Sequence, residues 1–264
     1  MIELGLVGYP LGHSFSAEYF TRKFSELGIE GSYKLFPVKR IENLHEVIRE
    51  NPGLRGFNVT IPYKEKIIPF LDSLDRDARD IGAVNVVKII ETDCDERNFR
   101  GYNTDWKGFL GSLEALKPLG TIKDVIILGT GGAALAVNFA ITSFIRDPLF
   151  VSRNPEKAPC RQRTIAYGEL SPERLAEADL IVNCTPLGML PDVESCPPIP
   201  YEAIHPGQLC FDLVYNPETT EFMRRAMERG AQVSNGLDML HRQADLAWEI
   251  WTGPDFIMNP PLLF

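Results

Sequence analysis

The chain has 264 residues, 44% of them hydrophobic and 24% charged, which is typical of a soluble globular protein with two modest domains or one large one. A formal net charge of −9 without a basic cluster argues against nucleic acid and anionic membrane surfaces as partners. The 5 cysteines form no C-x-x-C pair and the 4 histidines lack metal-ligand spacing, so we expect free thiols and no metal site. No signal-peptide pattern is visible at the amino terminus, and we therefore expect a cytoplasmic protein.

Hydrophobic periodicity and Gly/Pro punctuation predict alternating strands and helices in the first part of the chain. The predicted strands cover residues 2–7, 32–38, 54–59, 84–90 and 98–102, and the last two form a hairpin. The predicted helices cover residues 16–27, with a serine cap, 41–50, a short segment opened by Pro62, 72–81, and a linking helix at 106–116.

The same alternation restarts after the linking helix. The predicted strands cover residues 124–128, 149–152, 180–184, 209–213 and 232–234, and the predicted helices cover 132–144, 219–230 and 236–251. Alternation of this kind predicts an α/β protein with mostly parallel sheets that are covered by helices.

A glycine cluster at residues 129–132 separates an apolar strand from an alanine-rich helix. Gly129, Gly131 and Ala134 fit the pattern G-x-G-x-x-A. In this pattern the first glycine permits a tight turn, the second lets a pyrophosphate approach the backbone, and the third small residue lets the helix pack closely on the strand. The N-terminus of the helix also offers N–H groups to the phosphates. This stretch therefore predicts a dinucleotide site.

Residues 125–145 contain no charged side chain and are long enough to cross a membrane. The three glycines interrupt this stretch where a strand-to-helix turn belongs. Asn138, Thr142 and Ser143 make its helical half only partly apolar. We therefore favour a strand, a turn and a helix over a membrane span.

The residues after the next strand indicate which dinucleotide binds. NAD-binding folds carry an acidic residue at this strand tip, but here the strand ends in Ser152, Arg153 and Asn154. Arg153 can bind a 2′-phosphate with two hydrogen bonds, and Lys157 could add a second positive charge. This pattern favours NADP, although Glu156 keeps NAD open as an alternative.

Eight short segments together resemble the shikimate dehydrogenase family, which includes shikimate/quinate dehydrogenases. They are GHSFS at residues 12–16, NVTIPYK at 58–64, GAVN at 82–85, GYNTD at 101–105, GTGGA at 129–133, NCTPLGM at 183–189, DLVYNP at 212–217 and GLDMLHRQA at 236–244. The segments follow the family's order and extend over almost the whole chain.

The resemblance implies NADPH-dependent reversible reduction of 3-dehydroshikimate to shikimate, a step of chorismate and aromatic amino-acid biosynthesis. It implies a substrate-binding domain at residues 1–104 with 237–264, a Rossmann-like NADP-binding domain at 105–236, and a cleft between them. It also implies a small-molecule substrate and a monomer or homodimer. Two alternatives stay open: a quinate/shikimate dehydrogenase that uses NAD, and a non-catalytic nucleotide-sensing protein on the same fold.

The same resemblance assigns roles to individual residues. Lys64 and Asp105 are the expected catalytic pair, because a lysine can supply the proton that ketone reduction requires while a carboxylate orients it. The expected substrate-binding residues are Ser14, Ser16, Asn58, Thr60, Asn85, Tyr215 and Gln243, small polar groups suited to a carboxylate and hydroxyls. The expected cofactor-binding residues are Gly129, Thr130, Gly131, Gly132, Ala133, Ser152, Arg153, Asn154, Lys157, Thr185, Leu213, Gly236 and Met239.

Overall fold

The computed structural model describes residues 1–12, 14–91, 96–158 and 163–258, except for the side chains of Lys157 and residues 254–258. The chain divides into two compact units. The first contains Met1–Thr104 and Ala244–Phe264, and the second contains Asp105–Gln243. The chain therefore leaves the first unit once and returns to it within its last helix.

The first unit contains a six-stranded sheet. Its strands are β1 (Ile2–Gly8), β2 (Gly31–Pro37), β3 (Leu54–Val59), β4 (Ser73–Leu74), β5 (Val86–Glu91) and β6 (Arg97–Tyr102), in the spatial order β2-β1-β3-β5-β6-β4. Its helices are α1 (Phe15–Glu26), α2 (Leu44–Glu50) and α3 (Arg76–Ile81). Strands β2, β1 and β3 are parallel, β5 pairs antiparallel with both β3 and β6, and β4 is parallel to β6.

The second unit contains a six-stranded sheet in which every pairing is parallel. Its strands are β7 (Val125–Leu128), β8 (Leu149–Ser152), β9 (Thr164–Ala166), β10 (Leu180–Asn183), β11 (Leu209–Asp212) and β12 (Gln232–Ser234), in the spatial order β12-β11-β10-β7-β8-β9. Its helices are α4 (Asp105–Leu116), α5 (Gly132–Thr142), α6 (Pro172–Ala176) and α7 (Glu221–Glu228). Helix α8 (Leu237–Met258) begins in this unit and continues in the first.

Each sheet is covered on both faces. In the second unit, Phe109 of α4 and Val137 of α5 are buried on one face, while Leu175 of α6 and Phe222 of α7 are buried on the other. In the first unit, the face that contains Phe20 of α1 and Trp248 of α8 is opposite the one that contains Leu44 of α2. The predicted α/β fold class, with a Rossmann-like unit and a second α/β unit, is confirmed.

Strand order in the second unit reverses at β7. The chain runs outward from β7 to β8 and β9, and it then returns to the other side of β7 to add β10, β11 and β12. Ligands of doubly wound sheets bind outside the carboxyl ends of the strands at such a reversal. The segments that follow β7 and β10 are therefore the ones that a dinucleotide should contact.

Three predicted features were wrong in detail. Pro62 opens no helix, because residues 60–67 form turns in which Tyr63 N–H donates to the carbonyl of Thr60 (2.9 Å). Residues 72–81 are helical only from Arg76, since Asp72 N–H donates to the carbonyl of Phe99 (3.0 Å) and this segment pairs with β6 instead. The serine that precedes α1 is Ser14, and its side chain does not cap the helix.

The uncharged stretch at residues 125–145 forms β7, the glycine turn and α5 rather than one long helix. In the part of the chain that the structure describes, none of the helices combines the length and the apolar character that crossing a bilayer requires.

Candidate functional site

The glycine turn connects β7 to α5 at the reversal point. Gly129 has a φ of 102°, which side chains other than glycine rarely adopt, and its N–H donates to the carbonyl of Val151 (2.8 Å). Gly131 precedes α5 and has open space where a Cβ would stand, whereas Ala134, in the first turn of α5, is fully buried. The first turn of α5 contains Gly132 and Ala133, whose N–H groups lack intrahelical partners. Backbone donors beside open space fit a pyrophosphate.

Thr185 lies next to this turn, on the segment that follows β10. A Cβ placed on Gly129 would stand 3.1 Å from Thr185 Cγ2. The backbone N–H and the hydroxyl of Thr185 both donate to Asn183 Oδ1, at 3.0 and 2.6 Å. The Thr185 side chain is therefore fixed against the dinucleotide turn by the buried amide of Asn183.

Asp212 supports this arrangement from the end of β11. Its Oδ1 accepts from Asn183 Nδ2 (3.0 Å) and Val214 N–H (2.9 Å), and its Oδ2 accepts from the Thr220 hydroxyl (2.6 Å). The carboxyl group is completely buried, and this burial raises the pKa of Asp212 to about 7 although the three hydrogen bonds oppose the shift. Asp212 thus joins three segments at the carboxyl edge of the sheet.

Three expected nicotinamide-side residues lie in the same unit. Gly236 approaches Leu213 so closely that a Cβ on Gly236 would stand 2.2 Å from the Leu213 carbonyl oxygen, so only glycine fits there. Met239 is 7% exposed and belongs to the core cluster that includes Phe109. Its side chain therefore packs in the core, and a cofactor contact of Met239 stays a prediction.

The end of β8 carries the expected 2′-phosphate residues. The hydroxyl of Ser152 is buried and accepts from Asn154 N–H (3.1 Å), which shapes the turn that follows the strand. Arg153 and Asn154 are exposed. Burial raises the pKa of Tyr167 to about 12, and the nearby positive charge of Arg153 opposes that shift. The side chain of Lys157 lies outside the described residues.

Polar residues of the first unit meet where β3 and β5 begin to separate. Asn58 is 6% exposed, its Nδ2 donates to the carbonyl of Asn85 (3.2 Å), and its Oδ1 accepts from the Tyr33 hydroxyl (2.8 Å). Asn85 is 3% exposed, its Nδ2 donates to Thr104 Oγ1 (2.9 Å), and its Oδ1 accepts from Thr104 N–H (2.7 Å). The structure thus brings two expected substrate residues, Asn58 and Asn85, into one hydrogen-bonded group.

Two serines and Thr60 complete the expected substrate residues of this unit. Ser14 precedes α1, and Ser16 lies in its first turn, where the helix dipole favours an anion. Burial raises the pKa of Tyr33, and the nearby Ser16 side chain opposes that shift. Thr60 is half-buried, and its N–H donates to the carbonyl of Val7 (2.9 Å).

The two expected catalytic residues belong to different units, Lys64 to the first and Asp105 to the second. Lys64 is half-buried, and its carbonyl accepts from Val84 N–H (2.7 Å). Asp105 is 4% exposed and is the first residue of α4. In the second unit Tyr215 is half-buried, and Gln243, 7% exposed, donates through Nε2 to the carbonyl of Leu240 (2.9 Å).

Comparison with known proteins identifies the family. The family model of the shikimate dehydrogenase substrate binding domain matches residues 6–87. Shikimate dehydrogenase (NADP(+)) from Desulforamulus reducens is 40% identical in an alignment that covers 94% of this chain and 89% of that protein. The chain belongs to the shikimate dehydrogenase family. The resemblance that the eight segments indicated is therefore confirmed.

Solved structures of shikimate dehydrogenases have the same fold. Shikimate 5-dehydrogenase from Thermus thermophilus, in complex with NADP(H) and shikimate, matches with a TM-score of 0.83 and 35% identity over 96% of this chain and 94% of that one. Shikimate 5-dehydrogenase from Listeria monocytogenes, in complex with shikimate and NAD, matches with a TM-score of 0.79 and 28% identity over 97% of this chain and 95% of that one.

Sequence reasoning missed residues that hold the predicted site residues in position. Asn183 and Asp212 stand at the ends of β10 and β11 inside two of the quoted segments, and this position at strand ends was the available signal. Thr104 likewise lies in a quoted segment. Tyr33 gave no such signal, because an aromatic residue in an alternating strand indicates packing in a core.

Proposed function

We propose that this chain is an NADP-dependent oxidoreductase that reversibly reduces 3-dehydroshikimate to shikimate, a step of chorismate and aromatic amino-acid biosynthesis. The observation that carries the proposal is the match to the Thermus thermophilus enzyme, which was solved with NADP(H) and shikimate and aligns with 96% of this chain. We propose a cytoplasmic location, because the scattered cysteines fit a reducing compartment. The proposed assembly is a monomer or homodimer.

The second unit is the proposed binding site for NADP. The residues present fit the cofactor, since Gly131 leaves open space beside the α5 N-terminus and Arg153 stands exposed at the end of β8. The backbone of residues 129–133 would hold the pyrophosphate, and Ser152, Arg153 and Asn154 would hold the adenosine 2′-phosphate. When bound, NADPH supplies the hydride, and NADP+ accepts it in the reverse direction.

The proposed catalytic pair is Lys64 and Asp105. When a ketone is reduced, its oxygen gains a negative charge and then a proton. The ammonium group of Lys64 can stabilise that negative charge and donate the proton to the oxygen. The carboxylate of Asp105 can orient the ammonium group and stabilise its positive charge. In the direction of oxidation, the same lysine accepts the proton of the shikimate hydroxyl.

The polar residues of the first unit are the proposed substrate contacts. Shikimate carries one carboxylate and three hydroxyl groups. Ser14 and Ser16, at the start of α1, are suited to the carboxylate. Amide and hydroxyl side chains can both donate and accept, so they are suited to the hydroxyl groups of the substrate. The proposed set contains Asn58, Thr60 and Asn85 of the first unit and Tyr215 and Gln243 of the second.

A second candidate differs in the cofactor. The Listeria monocytogenes relative was solved with shikimate and NAD, which supports a quinate/shikimate dehydrogenase that uses NAD as the alternative. The exposed Arg153 at the end of β8 favours NADP, because an acidic residue is what NAD-binding folds carry there.

The direct experiment is a spectrophotometric assay at about 340 nm, the wavelength at which reduced nicotinamides absorb. We expect absorbance to rise when the protein is mixed with shikimate and NADP+. The rise should be slower when NAD+ replaces NADP+, and slower when quinate replaces shikimate. A faster reaction with NAD+ and quinate would support the second candidate. No change at high protein concentration would support a non-catalytic nucleotide-sensing protein.

A further inference from the structure

A tyrosine next to the proposed substrate residues donates a hydrogen bond to one of them. The hydroxyl of Tyr33 lies 2.8 Å from Asn58 Oδ1. The two residues belong to different strands of the same unit, since Tyr33 is in β2 and Asn58 is in β3. The ring of Tyr33 stacks on Phe20 at 4.9 Å between centroids.

The direction of this hydrogen bond follows from its partners. Asn58 Nδ2 faces the carbonyl of Asn85, which can only accept, so the oxygen of the Asn58 amide faces Tyr33. Tyr33 has one hydroxyl hydrogen and donates it to that oxygen. Burial raises the pKa of Tyr33 above its usual value, so its hydroxyl keeps this hydrogen at ordinary pH.

The consequence is a fixed orientation for Asn58. An amide held at its oxygen by Tyr33 and at one N–H by Asn85 cannot flip, and its remaining N–H points in one defined direction. A donor that is oriented before binding costs less conformational entropy when a hydroxyl group of the substrate arrives.

We propose that Tyr33 is a positioning residue for substrate recognition, whose hydroxyl holds the Asn58 amide in the orientation that binds a hydroxyl group of shikimate. This inference rests on the proposed function. Tyr33 acts through Asn58 and takes no part in proton or hydride transfer.

The test is Tyr33→Phe, which removes the hydroxyl and keeps the ring on Phe20. We expect the KM for shikimate to rise about five- to tenfold, the usual effect of losing one net hydrogen bond. The kcat and the KM for NADP+ should stay within about twofold, because Asn58 would bind the ground state and the transition state alike. General damage to the fold would instead lower kcat or change both KM values.

A double-mutant cycle tests whether Tyr33 acts through Asn58. Asn58→Ala should raise the KM for shikimate, and adding Tyr33→Phe to that variant should have no further effect. The matched control is Tyr201→Phe in the second unit, which also loses a buried tyrosine hydroxyl, one that donates to the carbonyl of Pro197 (2.9 Å). This control should leave the KM for shikimate unchanged.

Two results would overturn the inference: an unchanged KM for shikimate in Tyr33→Phe, or an equal rise whether or not Asn58 is present. A parent enzyme that does not oxidise shikimate would refute the proposed function and this inference with it. The parent is measured first, so that failure is distinguishable from a failure of Tyr33 alone.

Discussion

Arg153 is exposed at the end of β8, where we propose that the adenosine ribose of the cofactor binds. The two nicotinamide cofactors differ at the 2′ position of this ribose. NADP carries a 2′-phosphate there, and NAD carries a hydroxyl. We therefore expect Arg153→Ala to raise the KM for NADP+ roughly 10- to 100-fold, as expected for losing a charge-assisted hydrogen bond. The KM for NAD+ should change less than about threefold. Steady-state kinetics with both cofactors will measure this, and an equal rise for both would contradict the assignment.

Asp212 makes a second prediction at this scale, one that concerns stability. Its pKa is raised by burial to about 7, whereas an unfolded aspartate titrates near 3.9. Between these values the folded state binds a proton that the unfolded state has lost, so this group lowers the free energy of unfolding as pH rises. The loss is about 1.4 kcal/mol per pH unit, or ~4 kcal/mol between pH 4 and 7.

Asp212→Asn should remove that loss. An asparagine can accept from Asn183 and Val214 through its oxygen and donate to the Thr220 hydroxyl through its amide. Urea unfolding should show that the stability of the variant relative to the parent increases by a few kcal/mol between pH 5 and pH 8. A difference between the two proteins that does not depend on pH would mean that Asp212 is ionised throughout.

Side chains that are expected to contact ligands were easier to identify from the sequence than the side chains that position those contacts. Asn58 and Asn85 stand in two of the segments that resemble the family, so the resemblance indicated a site there. Tyr33 lies in an alternating strand, where an aromatic residue indicates core packing, and Asp212 was identified only as part of a segment that resembles the family. Tyr33 and Asn58 are 25 residues apart in sequence, and Asn183 and Asp212 are 29 apart, so only the fold reveals those pairs.

The turn between β7 and α5 offers a matched pair of glycines. Gly131 has an ordinary φ of −81° and open space around its Cβ position, so Gly131→Ala should change the free energy of unfolding by less than about 1 kcal/mol. Its methyl group would nevertheless occupy space proposed for the pyrophosphate. We expect the KM for NADP+ to rise roughly tenfold or more.

Gly129→Ala is the comparison for this prediction. Its φ of 102° makes alanine strained there, so this variant should lose roughly 1–2 kcal/mol of stability as well as cofactor affinity. Unfolding curves together with cofactor kinetics separate the two effects. Normal NADP+ kinetics in Gly131→Ala would place the pyrophosphate elsewhere.

The strongly apolar strands of the second unit were predictable from the sequence, whereas β9 and α6 were not. The strands β7, β8, β10 and β11 are continuous apolar runs between turn residues, which is the pattern of a buried parallel strand. Strand β9 has 3 residues and α6 has 5, too few for a periodic pattern. Helix α6 did carry a start signal, because Ser171 accepts from Arg174 N–H (3.2 Å) and Pro172 follows it.

At the scale of the whole molecule, the chain forms two units from three segments. The mid-chain position of the glycine motif predicted a nucleotide module flanked by other sequence, and the Rossmann-like unit is confirmed. The assignment of substrate binding to the first unit and NADP binding to the second stays a prediction. Pairing between β1, β3 and β5, across dozens of residues, was not deducible from local pattern, because the sheet order depends on contacts distant in sequence.

Lys64 and Asp105 are the residues to which we assign the proton chemistry of the proposed reaction. The most direct measurement is kcat for NADP+-dependent oxidation of shikimate by Lys64→Ala and Asp105→Ala, with Lys66→Ala, an exposed lysine in the same segment, as the matched control. We expect kcat to fall roughly 100- to 10,000-fold in both variants, with the fold and the affinity for NADP+ retained, and to stay unchanged in the control. Turnover close to that of the parent in either variant would contradict this assignment.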